Sequence, residues 1–285
     1  MAGLGTVVDR VVDTVGYSCK VTTMRIILLV CALLTGAVQA NEQTLNALRA
    51  EFAQTGALSA ASAEKLRELA DSGNTPAMLV LANMADAGIG VNANQKWAFD
   101  WTLRAARNAD PLAQYLLGER YIQRLGTPGD KTPDQLDERA LFWMNKAAEQ
   151  FEPAAMFALG QMLRTGQWRD RSIAGVQVDA AAGLQMVELS AVQDYGPALL
   201  VMYRHYHKEN AGRFDPDEQR AQRYLQRCAE VGDPECSFEL ATRLLTGDAQ
   251  TRNVPRAMEL LQVASEAGIT KAMVLMQAIA QMGVR

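Results

Sequence analysis

The sequence predicts an all-α fold, a right-handed α-solenoid of stacked antiparallel helix pairs, and three observations carry that expectation. The 285 residues are 49% hydrophobic and 21% charged, and Ala, Leu, Met, Glu, Gln and Arg, all good helix formers, dominate. Alternating runs of Val, Ile, Thr and aromatics, the mark of strands, are missing. One pattern of small and bulky residues also recurs at fixed spacing from residue 62 to the end, as repeat architectures require.

The first element is an address. Met24 and Arg25 open a short basic start, an apolar run follows from Ile26 to Ala37, and Val38-Gln39-Ala40 places small residues where a signal peptidase reads. This order is that of a secretory signal peptide cleaved after Ala40. The apolar run is shorter than the roughly 20 residues a membrane helix needs, so no stable insertion is expected after cleavage. Residues 1–23 read poorly as part of the same signal, which makes Met24 the expected start. Cys31 falls early in the apolar run, and Val30 stands where a lipobox wants Gly, Ala or Ser. Residues 1–40 are thus an upstream segment plus signal peptide, and the expected location is periplasmic or secreted. The net charge of −4 gives no general pull toward nucleic acid.

Residues 41–76 read as N-terminal capping helices, and 77–285 as about five helix-pair repeats closed by a C-terminal capping helix. Counting from a small residue that starts a helix, a bulky residue sits at +3, two small residues at +7 and +8, a turn at +11 and another small residue at +15. Ala98, Trp101, Ala105, Ala106, Ala109 and Ala113 fit this frame, as do Ala140, Trp143, Ala147, Ala148, Phe151 and Ala155. Further copies start at Gly183, Ala221 and Ala257. From each closing small residue a new helix begins, with large residues at +4 and +8, which lie along one helix face. Those helices start at residues 77, 113, 155, 198, 236 and 272. One pair cannot bury both apolar faces, so the pairs must stack.

The segments Gly88-Ile89-Gly90-Val91, Trp101 with Ala105-Ala106, and Ala-Leu-Phe-Trp-Met-Asn-Lys-Ala-Ala-Glu-Gln at 140–150 resemble the Sel1-like repeat, a relative of the tetratricopeptide repeat. The likeness covers about residues 62–285, although the Gly-x-Gly-Val turn is kept only in the first full unit. It implies a non-catalytic protein-binding solenoid that holds another protein in its concave groove: a periplasmic adaptor or inhibitor, such as an immunity protein against a type VI secretion phospholipase. An envelope or exopolysaccharide assembly scaffold and a peptidoglycan or glycan binder are the alternatives.

Cys228 and Cys236 occupy the +7 and +15 slots of one frame, where their Cα atoms fall within disulfide range across the tight turn. The competing reading is two small buried residues that happen to be cysteine. Secreted Sel1-like proteins carry cysteine pairs at this kind of spacing, so the resemblance implies a disulfide.

By likeness to the tetratricopeptide pattern, positions +2, +6, +9 and +10 of the first helix of each pair face the groove. The +6 slot holds Asn83, Glu119, Gln161, Arg204 and Thr242, polar in every unit. Tyr115, Phe157 and Phe238 at +2 supply aromatic anchors. Arg164 and Arg204 are the residues expected to contact acidic groups, and Trp168, in the long loop Trp168-Arg169-Asp170-Arg171, is a second contact site. No catalytic residue, cofactor or metal is expected. His205 and His207, two apart on a helix, suit neither a shared metal nor a relay. Ser62-Ala63-Glu64-Lys65 matches Ser-x-x-Lys without the partner motifs that make it specific, and Ser62 reads as a helix cap.

Overall fold

The computed structural model describes residues 42–48, 50–52, 54, 58–89, 92–168, 170–207, 217–246 and 252–281. The signal-peptide pattern from Met24 to Ala40, Cys31, Gly90, Val91, Arg169 and Lys208 lie outside the described residues. The chain forms two compact units, one up to Ala77 and one from Met78.

In the first unit, residues 42–48 are helical, and helix α1 (Ala60–Asp71) buries Leu66, Leu69 and Ala70. Its cap is Ser59 rather than Ser62. Ser59 has the extended backbone a cap needs, and its hydroxyl accepts the Ser62 N–H at 3.3 Å. Ser62 sits one turn inside the helix and donates its hydroxyl to Glu51. Helix α2 (Thr75–Ala87) carries the boundary between the units.

The second unit continues with α3 (Gln95–Arg107), α4 (Pro111–Gln123), α5 (Pro133–Glu149), α6 (Pro153–Thr165), α7 (Ala180–Val192), α8 (Gly196–Tyr206), α9 (Glu218–Glu230), α10 (Pro234–Thr246), α11 (Val254–Glu266) and α12 (Thr270–Gln281). From α3 on, each helix packs on its sequence neighbours, the all-α solenoid of antiparallel pairs that the repeat demands. The small slots of the frame are fully buried at Ala98, Ala105, Ala113, Ala140, Ala147, Ala155, Ala198, Ala221, Ala257, Ala264 and Ala272. Their size lets backbones approach. A Cβ at Gly183 would stand 2.5 Å from the Gly160 carbonyl oxygen, and one at Gly160 would stand 2.8 Å from that of Gly183, so α6 and α7 meet glycine to glycine.

The +11 turn is left-handed in every copy. Ala109, Phe151 and Asp194 have φ of 60–61°, and Gly232 and Gly268 have 82° and 89°. The N–H of +11 bonds the carbonyl of +8, and in four of these five copies the N–H of +12 bonds that of +7: Glu152 to Ala147, Tyr195 to Ser190, Asp233 to Cys228 and Ile269 to Ala264. This is the Schellman arrangement, which satisfies the last carbonyls of the helix. The residue at +12 then caps the next helix, as Asp110 does for Ala113 and Asp233 for Cys236. Proline follows at the first or second helical position in α4, α6 and α8, where its missing N–H costs nothing.

Against the expectation of no strands, the loop after α6 forms a two-stranded antiparallel hairpin, β1 (Gln167–Trp168) with β2 (Arg171–Ser172). Arg171 donates to the Ile122 carbonyl at 2.9 Å and to Asp137 at 2.5 Å, and the Ala174 N–H reaches the other Asp137 oxygen at 3.1 Å. Arg124, from the long loop after α4, donates to the same carboxylate at 2.8 Å. The two long loops therefore meet on Asp137. Burial pushes that carboxyl up, but Arg171, the Ala174 N–H and Arg124 outweigh it and hold it below its ordinary range.

Cys228 and Cys236 are joined by a disulfide with Cα atoms 5.7 Å apart, both side chains fully buried. On α8, half-buried His205 lies near Arg164 of α6 and Glu188 of α7. Burial first, then the Arg164 charge, lowers its pKa against the opposing pull of Glu188.

Three stability outcomes follow. Phe151→Gly relieves a left-handed, 68% exposed side chain and should raise unfolding free energy by about 0.5–1 kcal/mol in urea titrations. Cys228→Ala with Cys236→Ala should lower it by about 2.5 kcal/mol. Alanine already fills both slots at Ala105 and Ala113, so the loss would report the cross-link rather than the packing. Because the folded pKa of His205 lies below the unfolded value, its contribution is complete above about pH 6.5 and is lost on acidification below it. The fall in urea midpoint between about pH 7.5 and about pH 5 should accordingly be smaller in His205→Gln than in the wild type.

Candidate partner-binding face

The first helices of the pairs are α2, α4, α6, α8, α10 and α12. The +2 and +6 residues Leu79, Asn83, Tyr115 and Glu119 of α2 and α4 line one cleft, and Leu200, Arg204 and Phe238 of α8 and α10 line another. Both clefts are lined mainly by first-helix residues, because the 0, +4 and +8 positions of those helices are spent in the core.

The cleft between α2 and α4 encloses about 220 Å³ and is lined by Asn83, Asp86, Tyr115, Glu119 and Arg120 among others. Its polar groups largely satisfy one another. Arg120 pairs with Asp86, and its Nε donates to the Thr102 hydroxyl at 3.1 Å. Glu119, only 6% exposed, accepts the Trp168 indole N–H and a Gln123 amide N–H at 2.9 Å. Trp168 thus folds back from its hairpin onto the first-helix face, 49 residues from its partner in sequence.

In the middle of the face, the Phe157 ring lies between Trp168 and Tyr195, with centroids 5.9 and 5.5 Å away. Gln161 accepts from Arg164 Nη1 at 2.5 Å. Arg164 is half-buried, and burial pulls its guanidinium below the ordinary value, though it stays cationic at neutral pH. Of the two arginines grouped by the sequence pattern, Arg204 lines the second cleft and Arg164 lines neither of the two.

The larger cleft lies between α8, α10 and the start of α12 and encloses about 510 Å³. Leu200, Tyr203, Phe238 and Ile269 supply its apolar lining, and Arg204, Glu235, Glu239 and Lys271 its charge. Arg204 reaches Glu235 at 3.0 Å, with the two side chains 61% and 62% exposed. A pair so exposed is worth little in water, so either member can exchange its partner at small cost. Behind it, the Tyr203 hydroxyl donates to Glu239 at 2.9 Å, and burial followed by the Glu239 charge raises that phenol above its ordinary pKa. The sequence pattern missed Glu235, Glu239 and Lys271. The i, i+4 spacing of the two glutamates around Phe238 was a visible signal, whereas Lys271 enters from the next unit and carried none. The one close cluster of metal-capable groups among the described residues, Cys228, Asp233 and Cys236, has its sulfurs bonded to each other and offers no thiolate.

Sel1 repeat family models match residues 75–110, 111–150, 153–191, 206–233 and 234–269. An uncharacterized protein of Neisseria meningitidis serogroup B is 31% identical over 168 residues, 59% of this chain. The chain spans about a third of the length of that relative, 31%. A Sel1 repeat protein from Oxalobacter formigenes is 25% identical in sequence, with a TM-score of 0.57 over 76% of this chain and 89% of that one. An immunity protein from Pseudomonas aeruginosa shares the fold, at 18% identity and a TM-score of 0.52 over 79% of this chain and 81% of that one. With repeat matches over well more than half its length, the chain belongs to the Sel1 repeat family.

Proposed function

We propose that this chain is a non-catalytic protein-binding solenoid of the periplasm or cell exterior, an adaptor or inhibitor whose partner seats in the cleft between α8, α10 and α12. The observation that carries the reading is the pairing of a partly exposed aromatic, Phe238, with an exposed and exchangeable ion pair, Arg204 with Glu235. An aromatic anchor beside charge that can be redirected to a partner is the usual composition of a binding hot spot. Arg204 supplies the charge-assisted contact to an acidic group, and Phe238 the buried apolar contact.

The compartment is supported by the signal-peptide pattern ending at Ala40 and by the Cys228–Cys236 disulfide, a bond that persists in oxidising surroundings. Among the described residues, no helix is long and apolar enough to cross a membrane. The inhibitor version, an immunity protein that neutralises a phospholipase toxin delivered by a type VI system, gains support from the shared fold of the Pseudomonas aeruginosa immunity protein. Asn83, Tyr115, Glu119, Phe157, Gln161, Arg164 and Trp168 extend the same face toward the N-terminus, with Trp168 and Glu119 closing part of it.

The test is capture of the tagged protein from the periplasm of its source organism, with bound proteins identified by mass spectrometry. One dominant partner is expected. Arg204→Glu and Phe238→Ala should each weaken its retention about tenfold or more, whereas Arg164→Glu should act less, because Gln161 already holds that guanidinium. A partner retained equally by Arg204→Glu and Phe238→Ala would refute this cleft as its site. A toxin as the partner would establish the immunity version, and an envelope synthesis component would replace it with the scaffold.

A further inference from the structure

A different cleft lies between α3, α4 and α5 and shares no residue with the proposed partner site. Phe99 and Leu103 of α3, Tyr121 of α4 and Trp143 of α5 line an apolar hollow of about 280 Å³. Phe99 and Tyr121 meet edge to face with centroids 5.4 Å apart. The charged side chains lining the hollow are all cationic: Arg107 from the last turn of α3, Lys131 from the loop before α5, and Arg139 from α5. Arg107 and Arg139 both lie close enough to Tyr121 for their charge to oppose the upward push of burial on its phenol. Neither guanidinium makes a hydrogen bond or ion pair among the described residues. Lys131 reaches Asp130 at 3.3 Å, an exposed neighbour outside the hollow.

The hollow is one end of a longer groove. Phe99 and Pro128 also line an adjoining cavity of about 400 Å³ with Lys96, Asp100, Gly126, Thr127 and Gly129. The shared wall is the loop after α4, and it is held in place. Gly126 has φ of 67°, and a Cβ there would lie 2.1 Å from the Gln95 carbonyl oxygen, so the loop backbone presses directly on the start of α3. An elongated groove with a fixed wall suits an extended chain, which rises about 3.3 Å per residue, better than a compact solute. No carboxylate lines the hollow itself, Asp100 being confined to the adjoining cavity, so the three cations select acidic groups there and the aromatic lining selects an apolar side chain between them.

We propose that this groove is a second binding site, separate from the first-helix cleft, for an acidic peptide segment of a partner protein. One aromatic or large aliphatic side chain seats against Tyr121 and Trp143, and flanking carboxylates engage Arg107, Arg139 and Lys131. The proposal does not depend on the identity of the partner in the first-helix cleft.

The test is fluorescence anisotropy of the purified protein with a labelled pentapeptide, Asp-Glu-Phe-Glu-Asp, alongside Lys-Lys-Phe-Lys-Lys and a labelled oligothymidylate. The acidic peptide should bind and the basic one should not. Arg107→Ala with Arg139→Ala should weaken the acidic peptide about tenfold or more. Both side chains are exposed, so circular dichroism should show the fold unchanged. Arg256→Ala, an exposed arginine of α11 paired with Glu259, should leave binding as it was. The proposal is overturned by no binding of the acidic peptide, by equal binding of the two peptides, or by binding that the double variant leaves intact. Oligothymidylate binding that is lost in the same double variant would also overturn it and make the groove a single-strand site.

Discussion

Each helix pair is joined to the next by a left-handed residue at the +11 slot, and most of the architecture rests on that turn. It reverses the chain within a few residues, lets the N–H groups at +11 and +12 close the last carbonyls of one helix, and delivers the +12 side chain as cap of the next. The reversal brings the +7 and +15 residues together, which is why those slots must be small and why a disulfide fits between Cys228 and Cys236 without altering the pattern. Glycine is the easy solution, used at Gly232 and Gly268. Ala109, Phe151 and Asp194 hold the same conformation at higher local cost because the packing on both sides over-determines it.

Where the loops lengthen, electrostatics takes over from repetition. Asp137 gathers Arg124 from one long loop and Arg171 and the Ala174 N–H from the other. A nearly buried carboxylate with three donors is well satisfied, whereas stripping away a partner would leave a buried charge uncompensated. That anchor positions the hairpin, and the hairpin carries Trp168 onto Glu119 and Phe157. The N-terminal part of the first-helix face is therefore internally paired, and its C-terminal part, around Arg204 and Phe238, keeps exposed groups. The loop after α4 also shapes the cationic groove, which the pinned backbone at Gly126 walls.

Much of this was legible in the residues. The 0, +7 and +15 slots carry small side chains because no other size permits helix contact there, and they are buried in copy after copy. The +11 slot was legible by position alone, since alanine, phenylalanine and aspartate share no chemical preference for a positive φ. The candidate face was harder. The slot pattern put Arg164 and Arg204 on one footing, yet Arg164 is half-buried and held by Gln161 while Arg204 stands in solvent with Glu235. Slot numbers report which way a side chain leaves its own helix, not what the neighbouring units bring to it.

By itself, the sequence determined the helix-pair repeat, its register and the places where helices must touch, because each depends on spacing within about forty residues of chain. Only the tertiary structure decided which polar groups on those helices remain available. Trp168 reaches Glu119 across 49 residues, and Arg107, Tyr121 and Arg139 converge from three helices. Such meetings depend on the path of whole loops and on desolvation by residues distant in sequence. No local periodicity encodes either.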